Sequence, residues 1–217
     1  MTLVFCTDLA AASWIAESEL DWSDLVTLGP AGFPAYARLR FLPDPVPPGM
    51  SENDAVFEEW REEQLPRLYE ILAEHTTTPD DCHFCVWDGF GQWDNPPEEA
   101  VPADWSPEAV PGLAPPFEHP DGGPKVELPA RAYWLFRGPL AEVGTWSQAD
   151  GWPGQVRLHD ETPAFAWPAD RAWCFTSDVD PHWAGIAGTP ELIARLIADP
   201  RLDVVPTDHD EIPPFYR

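Results

Sequence analysis

The sequence predicts an α+β fold in one domain spanning residues 1–217: a mostly antiparallel sheet, two or three helices packed on one face, and long Pro-rich loops. Three observations predict it. Strand-like segments follow one another without a helix between each pair, which disfavours a doubly wound parallel sheet. Two segments carry apolar residues at helical spacing. Prolines crowd the connections; they number 28 of 217 residues, about 13 % where roughly 5 % is usual. An apolar share of 44 % is enough for a folded core, and 12 Trp, 11 Phe and 4 Tyr argue against a disordered chain.

The elements read in order as follows. Asp21-Trp22-Ser23-Asp24 resembles a helix cap. Gly29, Pro30, Gly32 and Pro34 mark turns. From Ala35 to Phe41, Ala35, Ala37, Leu39 and Phe41 alternate with Tyr36, Arg38 and Arg40, a strand with one face inward. The prolines of 43–48 end it. Val56, Phe57, Trp60, Leu65, Leu68, Ile71 and Leu72 recur at helical spacing. Pro66 sits within them, either as a kink or in the first turn of a second helix. Cys82–Trp87 is a short apolar strand. Residues 94–124 are expected as a Pro-rich surface loop inserted in the domain. Lys125–Leu128 and Ala130–Phe136 read as strands, and Leu140–Val143 as a helical turn. Another strand is expected at Ala172–Thr176, after a turn at Pro168-Ala169-Asp170, and one more at His182–Ile186. Thr189-Pro190-Glu191 opens a helix with a cap, a first-turn proline and an acid at the positive dipole end. Leu192, Ile193, Leu196 and Ile197 form its buried stripe. Pro200 stops it, and Leu202–Val205 is a last strand.

Charge narrows function. Twelve Lys and Arg against 38 Asp and Glu leave a net −26. Such a chain does not wrap nucleic acid, because little in it neutralises phosphate. It is repelled by anionic lipid, and no apolar run is long enough to span a bilayer. The N-terminus lacks the features of a secretory signal, so a cytoplasmic location with reduced thiols is expected.

Motifs that carry chemistry are few. Cys82-His83-Phe84-Cys85 offers two thiolates for zinc or a dithiol, with His83, Cys174 and His182 as further zinc ligands. Its spacing inside a strand puts the two sulfurs on opposite faces, so structural cysteines are expected. Asp178, Asp180 and His182 follow a strand end and form the alternative expectation, a small metal-dependent enzyme or metal-binding protein. Asp208-His209-Asp210-Glu211 reads as solvated acid in a Pro-flanked tail. The chain has no G-x-S-x-G, no H-E-x-x-H and no phosphate-binding glycine–lysine loop.

Trp87-Asp88-Gly89-Phe90-Gly91, the run Arg131–Gly138 (RAYWLFRG) and the run Trp167–Cys174 (WPADRAWC) resemble segments of a group of uncharacterised standalone proteins from actinobacteria. The resemblance covers roughly residues 60–205. It implies a cytoplasmic protein of a GC-rich bacterium, in keeping with eleven Arg beside the single Lys125, and implies no activity. The functional expectation rests instead on charge and aromatics. The chain reads as a non-catalytic acidic protein-binding protein without cofactor, an immunity-like inhibitor of a basic partner such as a nuclease toxin. Glu58, Glu59, Glu62 and Glu63, with Trp93 and Trp152, are the expected contacts. A third expectation is that the acid is an adaptation to salt or solubility.

Overall fold

The computed structural model describes residues 4–56, 63–88, 123–143 and 162–217. In chain order these form β1 (Val4–Phe5), α1 (Ser13–Ala16), α2 (Trp22–Leu28), β2 (Ala35–Arg40), α3 (Gln64–Glu74), β3 (Cys82–Trp87), β4 (Val126–Leu128), β5 (Arg131–Gly138), β6 (Phe165–Pro168), β7 (Cys174–Thr176), β8 (Trp183–Gly188), α4 (Pro190–Ile197) and β9 (Val204–Thr207). Among the described residues β3 to β8 follow one another without an α-helix between them, and the fold is of the α+β class. The segment expected as a Pro-rich insertion lies outside the described residues up to 122.

The strands form one sheet in the order β1-β5-β3-β6-β7-β8-β2-β9. Each described pairing is antiparallel. β5 lies beside β3 over Tyr133–Gly138, with Leu135 opposite Cys85 and Phe136 opposite Phe84. Its other side is shared by two short strands, β1 at Phe136 and Arg137 and β4 at Arg131–Tyr133.

Side-chain alternation across this register builds two cores. On one face Phe84, Phe136, Ala166, Phe175 and Ile186 pack with Leu68, Ile71 and Leu72 of α3 and with Leu192 and Leu196 of α4. On the other, Cys85, Leu135, Phe165, Cys174 and Ala187 pack with Ile15 of α1 and with Leu25 and Val26 of α2. The helices therefore divide between the two faces instead of gathering on one. The physical reason is visible in the strands: CHFCVW (82–87) and WAGIAG (183–188) are almost continuously apolar, and β8 is buried at every position. A strand exposed on one face would alternate with polar residues.

Local signals set the helix ends. The Asp21 carboxylate accepts a hydrogen bond from the Ser23 backbone N–H at 2.9 Å, capping α2, and Gly29 ends that helix at φ +97°. In α4 the Thr189 hydroxyl accepts from the Leu192 N–H at 3.2 Å, with Pro190 in the first turn. α3 begins at Gln64 and carries Pro66 in its first turn, where a missing N–H breaks no helical bond. The helical periodicity that begins at Val56 is not continuous, because Val56 lies outside any helix. Gln64 is fully buried; its amide donates to the Arg40 carbonyl at 3.0 Å and accepts from the Asp203 N–H. It joins α3 to β2 and to the lead-in of β9. The indole N–H of Trp173 donates to the Leu72 carbonyl at 2.9 Å, tying the other end of α3 to the approach to β7.

At Gly185 the backbone of α2 packs directly on β8. A Cβ there would lie 2.5 Å from the Thr27 carbonyl oxygen and 2.6 Å from the Thr176 hydroxyl. Gly185→Ala is expected to lower stability by about 3 kcal/mol, since backbone must move to relieve the clash. Urea denaturation of Gly185→Ala and wild type at neutral pH checks it.

Candidate functional site

The metal-binding alternative places Asp178 and Asp180 in the turn between β7 and β8, where both engage Arg131 of β5. The guanidinium donates to Asp178 at 2.9 Å and to Asp180 at 3.2 Å, and lies 4.4 Å from the Trp87 ring. His182, two residues on, turns elsewhere: its Nε2 lies 3.2 Å from Asp44. The structure thus joins Asp178 to Asp180 and separates His182 from both. Among the described residues, no group of three or more His, Cys, Asp or Glu side chains is arranged to hold a metal ion. Cys82 belongs to one core and Cys85 to the other. Burial pushes the Cys82 thiol up to about 12, so it stays protonated at neutral pH.

The expected binding residues Glu58, Glu59, Glu62, Trp93 and Trp152 lie outside the described residues. Glu63 is exposed, immediately before α3.

A second pattern emerges from the cations. Arg38 and Arg40 both bind Asp44, at 2.8 and 3.0 Å, and Arg40 also binds Asp203 at 2.6 Å. Arg67, Arg195 and Arg201 converge on Asp199, whose side chain is only 4 % exposed. Arg137 holds Asp81, and Lys125 holds Asp88. Arg171 lies over the Trp14 ring at 4.9 Å, and Arg217 donates to the Gly49 carbonyl. Every described Lys or Arg is therefore engaged by the protein itself, nearly always by a carboxylate. Glu17, Glu19, Glu63, Glu74 and Glu127 are exposed and pair with none of these cations. Among the described residues, exposed carboxylates are thus left over after the cations, several of them exposed themselves, are engaged.

The densest of these networks underlies a distinct surface. Arg38 points into the protein, contrary to its outward placement in the strand alternation. β2 runs between β8 and β9, and there Arg38 lies over the Trp183 ring at 5.0 Å with its fork on Asp44. Burial by itself would raise the Asp44 pKa; hydrogen bonds and charge from Arg38, His182 and Arg40 reverse that and bring it down to about 2. Burial lowers the His182 pKa against the pull of Asp44, favouring neutral imidazole.

Over this network the C-terminal segment returns to the loop after β2. The Gly49 N–H donates to the Phe215 carbonyl at 3.3 Å, the Arg217 N–H to Met50 at 3.0 Å, and the Tyr216 hydroxyl to Pro43 at 2.6 Å. Tyr216 sits edge-on to His182 at 4.8 Å, and Phe215 packs on Trp183 at 5.2 Å. Two segments far apart in sequence thus form one rigid ridge. It exposes Val46 (82 %), Ile212 (89 %) and Phe215 (49 %). Both segments also carry exposed carboxylates, Glu52 and Asp54 after the loop and Asp208, Asp210 and Glu211 ahead of Ile212.

No family model, no curated protein and no solved structure matches this chain. The site is defined by its own geometry: a structurally braced, acidic and partly apolar surface.

The pH dependence follows from the brace. The contribution of His182 to stability is complete above the ordinary imidazole value of about 6.5 and declines as pH falls below it. That of Asp44 is complete above the ordinary carboxyl value of about 3.9 and is lost as pH falls towards about 2. Asp44→Asn leaves the Arg38 guanidinium buried without its counter-ion and is expected to destabilise by about 3 kcal/mol at pH 7. The difference from wild type should shrink as pH falls from about 4, where Asp44 of the unfolded chain takes up a proton, to about 2, where it does so in the folded protein. Urea titrations at several pH values check both statements.

Proposed function

We propose that this protein acts by binding another protein, occupying a basic surface on its partner, as an immunity-like inhibitor does with a basic toxin such as a nuclease. One observation carries the reading: in a chain of net −26, every described Lys and Arg is already engaged within the protein, mostly by a carboxylate, while Glu17, Glu19, Glu63, Glu74 and Glu127 stand exposed without any of these cations. An outward field of one sign speeds encounter with an oppositely charged partner by about 10–10³, and the effect fades as salt rises. Desolvated apolar or aromatic groups inside an acidic rim then supply the short-range fit. An adaptation of the surface to salt accounts for the charge but not for apolar side chains left standing among the carboxylates.

The test uses short Lys-rich synthetic peptides as defined cationic probes, with uncharged peptides of the same length as controls. Association with the cationic probes is expected at about 50 mM salt. The affinity should fall by at least about tenfold by about 300 mM, with most of the change in the association rate. Absence of binding to the cationic probes at low salt, or affinities indifferent to salt, overturns the reading.

A further inference from the structure

The ridge made by the loop after β2 and the C-terminal segment has features that its structural role does not use. It is anchored on two buried rings beneath it, Tyr216 packing on His182 and Phe215 on Trp183. Val46 and Ile212 contribute nothing to that anchoring. They stand in solvent at 82 % and 89 % exposure, next to a half-exposed Phe215. All three lie within three residues of the Gly49–Phe215 hydrogen bond, so connectivity alone places each within about 11 Å of it. Single exposed apolar residues are common on any surface, but a group of them within a rim of charge is the usual anatomy of a protein contact.

Two further facts bear on what covers the ridge. Pro45, Pro47 and Pro48 flank Val46, while Pro213 and Pro214 separate Ile212 from Phe215. Proline fixes φ, so the exposed side chains are held ready and little backbone freedom remains to be lost on contact. The exposed charged groups of the two segments are mostly acidic, Glu52 and Asp54 after the loop and Asp208, Asp210 and Glu211 in the C-terminal segment, against one exposed cation, Arg217, whose guanidinium donates to the Gly49 carbonyl. The nearby arginines Arg38 and Arg40 are consumed by Asp44 and Asp203 below. An acidic or neutral partner, a second copy of this chain included, would have to bring like charge against that rim or leave it unmatched.

The geometry points to the Val46–Ile212–Phe215 ridge as the docking surface for a basic protein segment in which Lys or Arg alternates with apolar side chains. The apolar groups cover Val46, Ile212 and Phe215, and the cations reach the flanking carboxylates. This inference rests on the reading of the protein as a binder of basic partners and names the place and the recognition rule.

Two synthetic twelve-residue peptides of equal positive charge test it, one interspersing Lys with Leu and Trp, the other Lys with Ser. The full-length protein is expected to bind the Leu/Trp peptide at least about tenfold more tightly than the Ser peptide at about 100 mM salt. The double variant Val46→Ser/Ile212→Ser should abolish that preference while its binding of the Ser peptide stays unchanged. Both replaced side chains are solvent-exposed, so the fold is retained, and an unchanged urea midpoint verifies it. Glu17→Gln/Glu19→Gln, remote in sequence from the ridge, should keep the preference intact. Equal affinity for the two peptides, or a preference that survives Val46→Ser/Ile212→Ser, overturns this inference alone. Failure of both peptides to bind at low salt overturns it together with the proposed function.

Discussion

A sheet covered on both faces leaves a guanidinium very few places to lie. Strands of this protein are buried on both sides, between α3 and α4 on one face and α1 and α2 on the other. Any arginine that a strand carries must therefore bring a counter-ion with it or escape at the edge. Arg38 and Arg40 of β2 meet Asp44, and Arg131 and Arg137 of β5 meet Asp178 and Asp81. The same holds at the end of α4, where one buried carboxylate, Asp199, gathers three guanidinium groups. Their hydrogen bonds hold it well below the usual carboxylate range. Breaking such pairs is strongly unfavourable even where forming them adds little net stability.

From this constraint the surface character follows. The chain has few cations, and the described ones are drawn into ion pairs, ring contacts or, for Arg217, a hydrogen bond to the Gly49 carbonyl. The carboxylates beyond those needed for pairing have nowhere to go but outward. The result is a molecule whose positive charge is structural and whose negative charge is available. At the ridge over Asp44 and His182 these two roles meet. The internal network fixes the loop after β2 and the C-terminal segment, and the fixed segments display apolar side chains among free acid. Structure and proposed function are linked there through the same residues: Asp44 supports what Val46 and Phe215 present.

Much of the fold is legible in the residues. Asp21 and Thr189 announce helix starts because a short polar side chain before an apolar stripe has one common use. Cys82–Trp87 and the segment around Phe175 read as strands from their length and apolar content. The covering of both faces was also written in those runs, whose lack of polar alternation is the mark of a doubly buried strand. The outward placement of Arg38 fails for a related reason: alternation assigns faces, but only the neighbouring strands decide whether a face meets solvent. The candidate site was less legible. Asp178, Asp180 and His182 are neighbours in sequence, yet the turn before β8 sends the carboxylates to Arg131 and the imidazole to Asp44. The pairing of Gly49 with Phe215 joins residues more than 160 positions apart, which no local pattern encodes. Asp208, Asp210 and Glu211 were visible as acid, but the return of the C-terminal segment onto the loop after β2 was not.

The most direct examination of the account is amide hydrogen exchange of the full-length protein with and without the Lys/Leu/Trp peptide. Contact at the ridge should slow exchange in two stretches, about 46–54 and about 208–217, and leave the strands at the far edge of the sheet, β1 and β4, unchanged. Slowing spread evenly over the acidic surface, or confined to segments away from these two, would contradict it.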